Sequence, residues 1–142
     1  MSSLDFIQAT DQDVRGTARF LKRNGAKVGI AGFCMGGAIA VIAAAHIPEL
    51  AAAVSFYGVP PGEPANVKIP LQAHFANQDD FVTPKVADEF EGAMKAAGKE
   101  FECFRYDAQH GFANEQRMAA HDRQAAELAW ARATAFLHKH LG

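Results

Sequence analysis

The sequence predicts an α/β fold in which helices cover a mostly parallel sheet, and three observations carry that prediction. Segments of helical and of strand periodicity alternate along 142 residues, a length that suits one domain spanning 1–142. A glycine-rich turn, "GFCMGG" at 32–37, joins one strand directly to one helix. Acidic and histidine residues then recur where later strands end.

The elements follow in order. Thr10 and Asp13 form a capping box for a first helix, with Val14, Ala18 and Leu21 on one face and Asn24-Gly25 as the stop. A strand at 27–31 leads through the glycine turn into a helix at 35–46, which Pro48 keeps short. A second strand covers 51–58, and the three prolines of "VPPGEPANVK" make 59–68 a loop. A third strand, "PLQAHFAN", precedes a helix that starts at Pro84, carries Val86, Phe90, Met94 and Ala97 on one face, and ends at Gly98. "EFECFRYD" alternates as a fourth strand. The last helix is expected from Asn114 to His140, with Ala125, Leu128, Ala129, Ala133 and Phe136 on its apolar side.

Composition narrows the function. Net charge is −2, with 14 basic and 16 acidic residues and no basic block of the kind that tracks phosphates, so nucleic acid is not an expected partner. The longest apolar stretch, around Ala38 to Ala45, is too short for a bilayer, and the first residues lack both a basic and an apolar signal region. A soluble, cytoplasmic protein with no membrane association is the expectation. Two cysteines fit neither a disulfide framework nor a zinc pattern, which suits a reducing compartment. His138 and His140 are too few and too terminal to suggest a metal, and no cofactor is expected.

The stretch from Gly32 to Gly36 reads G-x-C-x-G between strand and helix, the context of a nucleophile elbow. At such a turn the apex side chain stands above the sheet edge. Here Cys34 would also face a helix N-terminus, whose free N–H groups favour a thiolate and later an oxyanion. The competing reading is a small buried cysteine in a tight turn. Nucleotide binding fits less well, since neither G-x-x-x-x-G-K-[ST] nor G-x-G-x-x-G is present.

A nucleophile needs a base, and the base an orienting group. "HFANQDDFVTP" puts Asp79 and Asp80 after one strand, and "YDAQHGF" puts His110 after the next. In an open parallel sheet these loops share one rim, so all three motifs can converge. Cys103 and His74 read as core, and His46 suits a helix C-terminus.

"GFCMGG", "HFANQDDFVTP" and "YDAQHGF" resemble the nucleophile, acid and histidine motifs of the dienelactone hydrolase family, within the α/β-hydrolase superfamily. The resemblance implies a three-layer α/β-hydrolase-like fold and a carboxymethylenebutenolidase-like hydrolase of small esters or lactones. Carried over, Cys34 is the nucleophile, Asp79 rather than Asp80 the acid, and His110 the base, with a thioester acyl-enzyme between two half-reactions. The Met35 backbone N–H would be the first oxyanion donor; the second has no assignable residue. Phe33, Tyr57, Phe81, Phe112 and Asn114 are expected to line the substrate pocket. Asn114 stands where the founding dienelactone enzymes carry an arginine that helps hold a substrate carboxylate.

Members of that family are longer and carry strands before the elbow that find no counterpart here. The strand at 27–31 would then be a bare apolar edge, which pairs with other chains or aggregates. The expectation is either a truncated chain or a homodimer formed through this edge. Two further functional readings stand beside the hydrolase. One is a catalytically incomplete fragment acting as a binding or assembly module. The other is a class I glutamine amidotransferase-like domain, whose pattern wants an acid where Phe112 lies.

Overall fold

The computed structural model describes residues 8, 10–61 and 66–142. A π-helical turn, Thr10–Val14, runs into helix α1 (Arg15–Lys22), then strand β1 (Gly29–Phe33) and helix α2 (Met35–His46). There follow β2 (Ala52–Phe56), β3 (Leu71–Gln78), α3 (Pro84–Ala96), β4 (Phe101–Gln109) and α4 (Arg123–Leu141). All strand pairs are parallel, in the order β1-β2-β3-β4. Of the proline-rich loop read at 59–68, residues 62–65 lie outside the described residues.

Helices cover both faces of this sheet, giving three layers. Ala126, Ala129, Ala133 and Phe136 of α4 pack against Ala52, Val54 and Phe56 on one face. Val41 and Ala44 of α2, with Phe90 and Met94 of α3, pack against Ala53, Leu71, Ala73 and Phe75 on the other. Alternate residues of one strand thus enter two cores, which is why β2 and β3 as far as Ala76 are buried without a break. The alanines of α2 let that helix lie close to the sheet, so that Ala40, Ala43 and Ala44 are fully buried.

Two helix starts differ from expectation. The first α-helix proper starts at Arg15, after the π-turn, so Thr10 and Asp13 do not form the capping box predicted for it; Val14 occupies the N-cap without a side-chain bond. The last helix starts at Arg123, nine residues later than predicted, because Asp122 caps it by accepting from Ala125 N–H. Upstream, Asn114 Oδ1 accepts from Gln116 N–H and closes a turn instead of continuing a helix. Leu128, expected on the buried side of that helix, is 46% exposed. β1 pairs with β2 and with no other strand among the described residues, so it is an edge.

One polar cluster lies inside the α4 face. His74 is fully buried; its Nε2–H donates to Gln72 Oε1 at 2.8 Å, and Nδ1 accepts from the Tyr106 hydroxyl at 2.8 Å. Arg132 donates to the same hydroxyl, and the Gln72 amide donates to Glu102. His74 also sits in a ladder of rings at one register level across the sheet. Phe33 stacks on Phe56 at 4.5 Å, Phe56 on His74 at 4.7 Å, and His74 on Phe104 at 5.6 Å.

Burial, helped by the Arg132 charge, lowers the His74 pKa from 6.5 to about 3. The folded state therefore refuses a proton that the unfolded state accepts below its own pKa. Stability should be unaffected above pH 6.5 and fall steadily as pH drops toward 3, by about 3 kcal/mol near pH 4. Urea unfolding of wild type and His74→Gln across this range measures the effect. The variant should lose most of the slope, and identical slopes would refute the assignment.

Candidate active site

β1 ends at Phe33 and α2 begins at Met35, so the chain reverses direction within one residue. That residue is Cys34, at φ 56° and ψ −120°. A positive φ is costly for any residue with a Cβ, and such strain is held where the surroundings enforce it. Here Cys34 N–H donates to Phe56 O at 3.0 Å, while Cys34 O accepts from Gly37 and Ala38 N–H at 3.0 and 3.2 Å. Two glycines make the turn sterically possible. A Cβ on Gly32 would lie 1.9 Å from Gly36 O, and one on Gly58 would lie 2.1 Å from Cys34 O.

Met35 is the first residue of α2, so its N–H is one of the helix's unbonded first-turn donors, beside Cys34. Its side chain is exposed, and the first turn carries no acidic residue to compete for an anion.

Asp79 follows β3 and is only 3% exposed. Its two oxygens are used separately. Oδ1 accepts from Phe81 and Val82 N–H at 2.7 and 2.9 Å, which fixes the carboxylate in its loop. Oδ2 lies 2.7 Å from His110 Nδ1. An ionised carboxylate only accepts, so the imidazole proton sits on Nδ1 and leaves Nε2 a free acceptor. Asp80 is exposed and makes no hydrogen bond to His110 among the described residues. His110 is held between the rings of Tyr57 and Phe81, each 5.0 Å away.

Two cavities meet at Cys34. One, of about 450 Å³, is lined by Cys34, Met35, Phe81 and His110 among others. The other, of about 360 Å³, lies toward β1 and is lined by Phe33, Asn114 and Trp130. Cys34, Tyr57 and Arg117 line both. The structure thus brings Cys34 and His110 to one cavity, with no hydrogen bond between them among the described residues. Burial pushes the Cys34 thiol pKa up; Arg117 pulls it down and Asp79 adds to the rise. Burial likewise pushes the Tyr57 phenol up to about 12, so Tyr57 is neutral.

Of the predicted pocket residues, Phe33, Tyr57, Phe81 and Asn114 line these cavities. Phe112 does not. It is fully buried, 5.3 Å from the Tyr57 ring and 5.0 Å from Tyr106, because Gly111 at φ 84° turns the chain inward after His110. It meets the Tyr57 ring edge-on. Arg117 and Trp130 escaped the sequence reading. Arg117 falls in a stretch read as continuous helix, and Trp130 lies off the apolar stripe of α4; its being the single tryptophan was the available signal. Among the described residues no group of three or more His, Cys, Asp or Glu could hold a metal ion. No described helix is long and apolar enough to cross a membrane.

A family model, the dienelactone hydrolase family, matches residues 5–141. "Protein usf" of Aquifex pyrophilus is 32% identical over 99% of this chain and 62% of its own length. A protein of Aquifex aeolicus named "Putative carboxymethylenebutenolidase" is 32% identical over 81% of this chain and 52% of its own. Among solved structures, one titled as a "Putative Dienelactone Hydrolase" from Klebsiella pneumoniae superposes with a TM-score of 0.78 at 28% identity, over 87% of this chain and 57% of that one. The chain therefore spans only about half to three fifths of the length of these relatives.

Proposed function

Because this chain belongs to the dienelactone hydrolase family, we propose that it cleaves small esters or lactones with Cys34 as nucleophile, His110 as base and Asp79 as the group that orients the base. The observation that carries this reading is the His110–Asp79 hydrogen bond on a cavity shared with a left-handed Cys34.

Burial keeps Cys34 a thiol at rest, so attack requires His110 Nε2 to take the Sγ proton as sulfur bonds to the carbonyl carbon. The oxyanion that forms meets the Met35 N–H and the N-terminal end of α2. On collapse the C–O bond breaks, and the alkoxide leaves with the proton from His110, forming a thioester on Cys34. Water then attacks the thioester, giving its proton to His110; the acid departs and the thiolate is reprotonated. Asp79 keeps Nδ1–H pointed at itself throughout and stabilises the imidazolium. In the tetrahedral intermediate a thiolate leaves more readily than an ordinary alkoxide or an amine, so forward collapse favours activated or ring-strained esters over amides.

Intact-mass spectrometry after mixing with nitrophenyl acetate tests this. An acetyl adduct on Cys34 should build and then decay, and Cys34→Ala should neither form it nor release nitrophenol above the uncatalysed rate. The absence from the wild-type chain of both an adduct and nitrophenol release above the uncatalysed rate would sink the hydrolase reading and leave the binding module.

A further inference from the structure

The cavity of about 360 Å³ on the β1 side of Cys34 has two large aromatic side chains in its lining that its neighbour lacks. These are Phe33 and Trp130, with ring centroids 5.5 Å apart. Phe33 is 36% exposed and Trp130 45%. Lone exposed apolar side chains are ordinary, but two large rings closing one wall of a cavity that opens on a nucleophile are a binding feature. The wall is also stiff. Phe33 is the last rung of the ladder through Phe56 and His74, and Trp130 packs on Phe56 at 5.4 Å. The lining also carries Asn114 and Arg117, and no ion pair joins Arg117 to a carboxylate among the described residues.

The geometry points to a subsite for a planar aromatic ring on one side of the scissile ester, with Trp130 as the wall that determines specificity. Rings prefer offset or edge-on contact with one another, which a cycloalkyl group of the same size cannot reproduce. Arg117 complements a negative substituent on such a ring. The consequence for turnover rests on the proposed role of Cys34, whereas binding of the ring does not.

Trp130 is the chain's single tryptophan, so its fluorescence reports directly on the subsite. The Cys34→Ser chain is titrated with benzoate and with cyclohexanecarboxylate, which share charge and size. Benzoate should perturb the emission saturably and bind about tenfold more tightly. In the wild-type background, the ratio of kcat/KM for phenyl acetate over cyclohexyl acetate should fall about tenfold in Trp130→Leu and be largely restored in Trp130→Phe. Equal affinity for the two acids, or an unchanged ratio in Trp130→Leu, would overturn the proposal. A preference for benzoate in a chain that turns over neither ester would uphold the ring subsite and refute the nucleophile assignment.

Discussion

Asp79→Asn is expected to leave the chain folded and to lower kcat for an activated ester by about 10²- to 10⁴-fold. The two oxygens of Asp79 have separable tasks. An asparagine keeps a carbonyl where Oδ1 accepts from Phe81 and Val82 N–H, so the loop after β3 retains its anchor. It puts an NH₂ where Oδ2 now accepts from His110. Two donors cannot bond each other, so the imidazole moves its proton to Nε2 in order to accept at Nδ1. The base then presents a proton to Cys34 where it should present a lone pair. The measurement is kcat beside a thermal melt: an unchanged melt with turnover within about tenfold of wild type would remove Asp79 from this role.

Gly32→Ala and Gly36→Ala should have opposite effects, although both glycines belong to one pentapeptide. A Cβ at Gly32 would lie 1.9 Å from Gly36 O, 2.3 Å from Gly36 C and 2.9 Å from Gly37 N. These are backbone atoms at the start of α2, with no flexible side chain to give way. The end of β1 and the first turn of α2 would have to separate, costing at least about 3 kcal/mol and displacing Cys34. A Cβ at Gly36 meets nothing within 4 Å. Alanine there adds helix propensity in α2 and should stabilise by roughly 0.5–1 kcal/mol. Urea denaturation of both variants decides the matter, and equal shifts would refute this account of the turn.

Much of the candidate site was legible from residue order, because the features involved are local. A glycine turn between strand and helix, and acidic and histidine residues just past strand ends, follow from chain geometry within a few residues. Parallel strands then bring such ends to one rim whatever their loops do. Helix α2 was read to its residue for the same reason: its start is forced by the turn and its end by Pro48. The longer errors arose where a side chain competes with the backbone. Asn114 and Asp122 turn and cap the stretch before α4, and so shorten a helix whose apolar periodicity had suggested a longer one.

By itself, the sequence determined the α/β architecture, the glycine turn that carries Cys34 and the three motifs of the candidate triad, since each depends on spacing along the chain. Only the tertiary structure showed which of Asp79 and Asp80 bonds His110, turned Phe112 into the core, and brought Arg117 and Trp130 to the walls beside Cys34. Those outcomes depend on where one carboxylate finds backbone donors, on the positive φ of Gly111, and on how α4 lies against β1 and β2. They are distances across the fold, between residues whose order in the chain says nothing of their separation in space.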